Sequence, residues 1–124
     1  MSEKAPGTAA LGCATVAAIF VPLPLVAILL SLGAGPEPGL FALVIVFGAP
    51  IAAAHVLPLF LPFYLMLAAL TPVRWWGAAT LGLACGGIPA LLLSGADPVT
   101  TSLFAGSGFV GGIAFWLTVM RATR

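Results

Sequence analysis

Charged side chains are scarce in this sequence. Its 124 residues include four Lys and Arg residues and three Asp and Glu residues, whereas 62% of the residues are hydrophobic. A chain of this length cannot bury so many apolar side chains in one small soluble core. The lack of a basic patch also excludes nucleic acid as a partner. The composition therefore predicts an integral membrane protein whose surface contacts the lipid bilayer.

The side-chain combinations that catalytic and metal sites require are missing as well. The chain has one histidine and two cysteines, and its sequence contains no Gly-rich phosphate loop, no metal-ligand spacing and no hydroxyl spaced with a base as a nucleophile. The cysteines, Cys13 and Cys85, are predicted to differ in depth by about 10 Å, which disfavours a disulfide. We therefore expect no enzymatic activity, no metal and no cofactor.

Long uncharged runs are what the sequence has in abundance. Each is at or above the roughly 20 residues that a helix needs to cross a hydrocarbon core of about 30 Å. A membrane barrel would instead alternate apolar and polar positions in short strands. The sequence predicts an all-α fold, a four-helix bundle forming a single transmembrane domain over 1–124. Its predicted spans are about 8–32, 40–70, 73–95 and 99–120.

The few charges are placed asymmetrically around these spans. Glu37 and Asp97 lie in the two loops on one side of the predicted bundle. All the basic residues lie on the other side: Lys4, Arg74, Arg121 and Arg124. The positive-inside rule makes that side cytoplasmic. We expect a multi-pass protein of the bacterial inner membrane with both termini in the cytoplasm and an uncleaved first span.

Prolines interrupt the predicted helices. A proline removes one backbone donor and crowds the preceding turn, so it breaks or bends a helix. The second span is also longer than a perpendicular crossing requires, which favours a tilt or a break. The predicted helix-break positions are Pro50, Pro58 and Pro62 in the second span and Pro89 in the third, with a further bend at Pro22 and Pro24 in the first.

Small residues recur every four positions in three of the spans. This spacing lets membrane helices approach closely. The residues are Ala10, Ala14 and Ala18 in the first span, Ala78, Gly82 and Gly86 in the third, and Gly108 and Gly112 in the fourth. Packing within one bundle is the favoured interpretation, and packing between subunits is the alternative.

Aromatic and basic residues mark the predicted cytoplasmic boundary. Indole rings prefer the headgroup region, and arginine anchors the end of a span. The expected interface anchors are Arg74, Trp75, Trp76, Trp116 and Arg121. Thr71-Pro72 is typical of an N-cap followed by a first helical turn and predicts the start of the third span, and Asp97-Pro98 predicts the start of the fourth.

His55 and Tyr64 are the candidate buried polar residues. His55 falls near the bilayer midplane, where an ionisable side chain is by default a functional candidate. The favoured interpretation is nevertheless structural: a neutral imidazole that donates either to a backbone carbonyl freed by a nearby proline or to a neighbouring helix. Tyr64 follows nine residues later, which on a regular helix places it on the opposite face.

Four segments carry a resemblance to a known group: 54–65, 74–76, 86–92 and 111–117. Their patterns resemble those of small four-span inner-membrane proteins of proteobacteria. This resemblance implies a fold and a compartment and implies no activity.

The small number of polar side chains determines which function we expect. A transporter must offer partners to a hydrophilic solute, and this chain offers very few. We expect a non-catalytic protein that binds another membrane protein, as an accessory subunit, an assembly factor or an immunity-type factor. The alternative is a small oligomeric channel or proton-coupled carrier that uses His55 in the proline-broken second span. The predicted partner is accordingly another protein or a second copy of the chain.

Overall fold

The structure, a computed structural model, is helical. It describes residues 6–35, 37–95 and 97–124, and within these ranges it contains no strand. Four segments are long and apolar enough to cross a membrane. The prediction of an all-helical chain with four membrane-length helices is confirmed for these residues. Lys4, which entered the predicted orientation, lies outside the described residues.

The four spans consist of six α-helices and one π-helical turn. The first span contains α1 and α2, the second contains α3, the π-helical turn and α4, and the third and fourth are single helices. The bounds are α1 Thr8–Phe20, α2 Pro22–Ala34, α3 Pro38–His55, the π-helical turn Val56–Phe60, α4 Leu61–Leu70, α5 Trp75–Leu93 and α6 Pro98–Ala122.

The second span changes its hydrogen bonding at Pro58. In the π-helical turn, the Leu61 N–H donates to the carbonyl of Val56, five residues earlier. A wider turn relieves the crowding that the Pro58 ring imposes on the turn before it. Pro62 then lies in the first turn of α4, where its missing N–H costs least.

Two of the other prolines act differently from the sequence expectation. Pro50 lies inside α3 and Pro89 inside α5, and both helices run on without interruption. The expected break at these positions is therefore absent. Each proline removes one donor from the ladder, while the neighbouring residues keep helical conformation.

The third and fourth spans form the closest pair, and the first span packs mainly against the fourth. The second span contacts α1 and α2 through α3, and it reaches α5 through the π-helical turn and α4. Only 6% of its most apolar window is buried, against 33%, 28% and 22% for the first, third and fourth spans. The second span therefore lies at the edge of the molecule.

An aromatic cluster attaches the second span to the fourth. Phe115 of α6 is fully buried, with its ring centroid 5.1 Å from that of Phe60 and 4.6 Å from that of Tyr64. Both contacts are edge-to-face, the geometry that aromatic quadrupoles favour. A second small core joins Leu23 and Ala27 of α2 to Val44 of α3. The second span is thus held at two separate points.

The ends of α4, α5 and α6 show how the loops are capped. The sequence predicted that Thr71 starts the third span, and this prediction is wrong. Thr71 ends α4 in an extended conformation, which a residue before proline favours, and α5 begins at Trp75. Asp97 does cap α6: its carboxylate accepts a hydrogen bond of 2.7 Å from the Thr100 N–H. A hydrogen bond with the Thr100 side chain lowers the pKa of Asp97, and a hydrogen bond from the Thr100 backbone lowers it further by a smaller amount.

Candidate functional site

Glycines bring the backbones of α5 and α6 into contact. A Cβ added at Gly82 would collide with the carbonyl of Gly108, and one added at Gly108 would collide with the carbonyl of Gly82. A Cβ added at Gly86 would likewise collide with the carbonyl of Phe104, and one added at Gly112 would collide with the carbonyl of Ala78. Positions advance along α5 as they retreat along α6, so the helices are antiparallel. The two glycine rows thus face each other within one chain.

A further glycine, Gly111, serves the first span. A Cβ at this position would lie 2.8 Å from the carbonyl oxygen of Ala18 and 3.4 Å from the ring of Pro22. Ala14 and Ala18 are buried on this face, whereas Ala10 is half-buried. Consecutive glycines at 111 and 112 point about 100° apart around α6, so each faces a different neighbouring helix.

A cavity of about 310 Å³ lies between the second span and this glycine-packed interior. The α5 and α6 glycines form its floor, and α2, α3 and the π-helical turn form its walls. The lining is apolar apart from three side chains: His55, Cys85 and Ser107. The hydroxyl of Ser107 is already used, because it donates to the carbonyl of Phe104 at 2.9 Å.

His55 is the last residue of α3 and lines this cavity. Its Nδ1 lies 2.7 Å from the carbonyl oxygen of Ile51, one turn earlier. A carbonyl only accepts, so Nδ1 carries the proton and the neutral ring presents Nε2 as an acceptor. The ring also lies against Phe104, with centroids 6.1 Å apart. His55 is half-buried.

Tyr64, the second candidate polar residue, lies elsewhere. It is 4% exposed and belongs to the aromatic cluster with Phe60 and Phe115. It does not line the cavity. The structure therefore separates the two residues and gives Tyr64 a packing environment.

The hydroxyl groups of the spans mostly bond to their own helices. Each donates to a carbonyl three or four residues earlier, which leaves it unavailable to a passing solute. This holds for Thr15, Ser31, Thr80, Ser94, Ser107 and Thr118. Thr101 differs, because its buried hydroxyl has no hydrogen-bond partner among the residues that the structure describes. No group of three or more His, Cys, Asp or Glu residues within the described ranges is placed to hold a metal ion.

The expected interface anchors meet at one end of the bundle. Trp75 and Trp76 at the start of α5 are 53% and 55% exposed, and Arg74 and Arg121 are exposed beside them on the ends of α5 and α6. Trp116 is different: its half-buried indole N–H donates to the carbonyl of Val73 at 3.0 Å. This hydrogen bond links α6 to the connection between the second and third spans, a role that the sequence did not indicate.

Four exposed residues of the second span recur at four-residue spacing and are here called the proline face: Pro50, Ala54, Pro58 and Pro62. All four are exposed. None carries a long side chain, and each proline lacks the N–H that would pair with the carbonyl four residues earlier. No other described segment buries these four positions.

Comparison with protein-family models, with curated proteins and with solved structures gives no match to this chain.

Proposed function

We propose that this protein is a non-catalytic, multi-pass protein of the bacterial inner membrane, with both termini in the cytoplasm, that acts by binding another membrane protein. The second span supplies the binding surface. Accessory subunits, assembly factors and immunity-type factors all work in this way.

The exposed proline face carries this proposal. A proline inside a membrane helix leaves backbone groups that neighbouring helices normally satisfy, because lipid chains offer no donors. In this chain no other span covers Pro50, Pro58 or Pro62. A partner helix with Ser, Thr, Asn or Gln side chains would supply donors and could approach closely over Ala54.

The exposure of the second span supports the same conclusion. It is held to its own bundle at two small clusters, and most of its apolar side chains face outward. Apolar area alone does not drive helices together in lipid, so a partner must be recognised by fit and by hydrogen bonds. The short side chains of the proline face allow a close fit, and its prolines leave carbonyls without their usual N–H partners.

The arrangement of polar groups argues against transport of a hydrophilic solute. Most hydroxyls of the spans bond to their own helices, and the cavity lining is almost entirely apolar. A solute entering it would lose its hydration without gaining partners.

Site-specific photocrosslinking tests the proposal. A photoreactive residue is placed at Ala54 or Pro58 in the native host, with matched probes at Leu92 and Leu117, which are also exposed but lie on α5 and α6. We expect one adduct of defined mass from the first pair and none from the second. Adducts of similar yield from all four positions, or none from any, would contradict a dedicated surface.

A second candidate function is a small oligomeric channel or proton-coupled carrier. The observation that favours it is the position of His55, which lines a cavity beside the π-helical turn of the second span. Its test is proton flux in proteoliposomes. Flux that both His55→Ala and His55→Gln abolish, with assembly intact, would favour this function, whereas no flux in the unmodified protein would count against it.

A further inference from the structure

The cavity behind the second span has the features of a small-molecule site. Such sites hold about 300 to 1,000 Å³, have apolar walls and place a few polar groups that orient the ligand. The cavity here measures about 310 Å³ and its walls are apolar, with phenylalanine side chains from three elements: Phe47, Phe60 and Phe104. None of the four residues of the proline face lines this cavity, so the inference goes beyond the proposed protein contact.

Among the described residues that line the cavity, His55 supplies the polar group that is available to a ligand. The Cys85 thiol is a weak hydrogen-bonding group, and the Ser107 hydroxyl donates to its own helix. The His55 ring donates through Nδ1 to Ile51, and within the described ranges the structure shows no other hydrogen bond to it. The lone pair on Nε2 therefore remains available to accept.

The neutral form of the ring fits these surroundings. An imidazolium without a counter-charge would be costly among apolar walls in the hydrocarbon region. Among the described residues, no carboxylate lines the cavity. A neutral ring with its proton fixed on Nδ1 can only accept at Nε2, so the matching ligand group is a donor.

We propose that this cavity binds a lipid-soluble alcohol, whose apolar part fills the space between the second span and the glycine floor and whose hydroxyl donates to Nε2 of His55. The volume of about 310 Å³ lies at the lower end of the range for small-molecule sites. A single short chain or one ring fits this volume, whereas a whole phospholipid does not.

The test uses the single histidine as a spectroscopic probe. Protein labelled with ¹⁵N only at histidine, and carrying a tag free of histidine, gives one imidazole in nanodiscs. Three probes of equal heavy-atom number are titrated: 1-decanol, 4-butylphenol and methyl nonyl ether, which lacks a donor. We expect a saturable shift of the Nε2 resonance with at least one alcohol and at least fivefold weaker binding of the ether, in line with the loss of one hydrogen bond.

A hydroxyl donor could belong to a chain alcohol or to a phenol, and the two alcohols distinguish these ligand classes. Preference for 1-decanol indicates a chain alcohol of lipid origin, and preference for 4-butylphenol indicates a phenolic or quinol-type ligand that packs on the phenylalanines. A shift that does not saturate with either alcohol, or equal binding of the ether, would overturn the proposal.

Cavity-filling variants locate the site. Ala52→Phe fills the cavity from α3, and Ser107→Leu fills it from α6, so the second variant serves if the first does not fold. Val46→Phe is the matched control, because Val46 is 62% exposed on the same helix and does not line the cavity. We expect at least a tenfold loss of alcohol binding in the filling variants and unchanged binding in the control. Unchanged binding in a folded filling variant would place the ligand elsewhere and refute the site.

Discussion

Replacing Gly82 by alanine tests the closest contact in the bundle. The new Cβ would lie 2.9 Å from the carbonyl carbon of Gly108 and 3.2 Å from the Cα of Gly112, in addition to its collision with the Gly108 oxygen. These are backbone atoms, so no rotamer change relieves the overlap. The two helices must move apart by an amount on the order of 1 Å to restore ordinary contact.

The magnitude follows from two opposing effects. Overpacking of this kind costs about 1 to 3 kcal/mol. Alanine has a higher helix propensity than glycine, which offsets up to about 1 kcal/mol of this cost. Gly106 separates the two effects, because it lies on α6 with nothing within 4 Å of an added Cβ. The difference between Gly82→Ala and Gly106→Ala therefore isolates the contact, and we expect about 2 kcal/mol.

The assay is unfolding by SDS in mixed micelles, followed by tryptophan fluorescence. Gly108→Ala should cost about as much as Gly82→Ala, because the two glycines oppose each other's carbonyls. The double variant should cost less than the sum, since one separation of the helices accommodates both Cβ atoms. Equal stability of Gly82→Ala and Gly106→Ala, within about 0.5 kcal/mol, would refute the close approach of α5 and α6.

Three further predictions concern the attachment of the other elements. Phe115→Ala should lower the free energy of unfolding by about 3 kcal/mol, because it empties the fully buried centre of the aromatic cluster. Trp116→Phe should cost about 1 kcal/mol through the lost hydrogen bond to Val73, whereas Trp75→Phe on the exposed surface should cost almost nothing. Stability should fall as the pH drops below about 4, because the folded pKa of Asp97 lies below its ordinary 3.8. Its ionised cap is fully stabilising above that value, and Asp97→Asn should remove this part of the pH dependence.

The same SDS unfolding assay checks all three. A cost for Phe115→Ala below 1 kcal/mol would contradict the attachment of the second span by this cluster. Equal effects of the two tryptophan variants would contradict the contact with Val73. A pH dependence that persists unchanged in Asp97→Asn would assign it to other groups.

The number and rough extent of the helices were predictable because they depend on local properties. Uncharged length and apolarity predict membrane-length helices without knowledge of their neighbours. The effects of the prolines were predictable only in part. Whether Pro50 leaves a continuous helix or Pro58 widens the turn depends on how the chain around each proline redistributes its hydrogen bonds.

The packing partners were not predictable from spacing. A period of four marks a small face on a helix and does not identify the helix that covers it. Gly111 has no glycine or alanine four residues away, so the pattern missed its contact with Ala18, although the consecutive glycines at 111 and 112 were a usable signal. The separation of His55 from Tyr64 was inferred from uniform helical rotation. In the structure a π-helical turn lies between them, so that rotation does not apply over this segment.

The cavity could not be predicted at all. Its lining comes from the first, second, third and fourth spans together, and it exists because the second span does not pack against the glycine rows. Side-chain composition indicated that His55 lacked an obvious charged partner. Only the arrangement of the spans shows what else surrounds it.

The pairing of the first span with the fourth has a consequence for synthesis. Spans leave the ribosome in order, and the helix that carries Ala14 and Ala18 is made before the other helices of the bundle. Its main partner, α6, is the last helix of the bundle to be completed. The close-packing face of the first span therefore stays uncovered until α6 is made. A chain that stops before Gly111 lacks the surface that packs against this face.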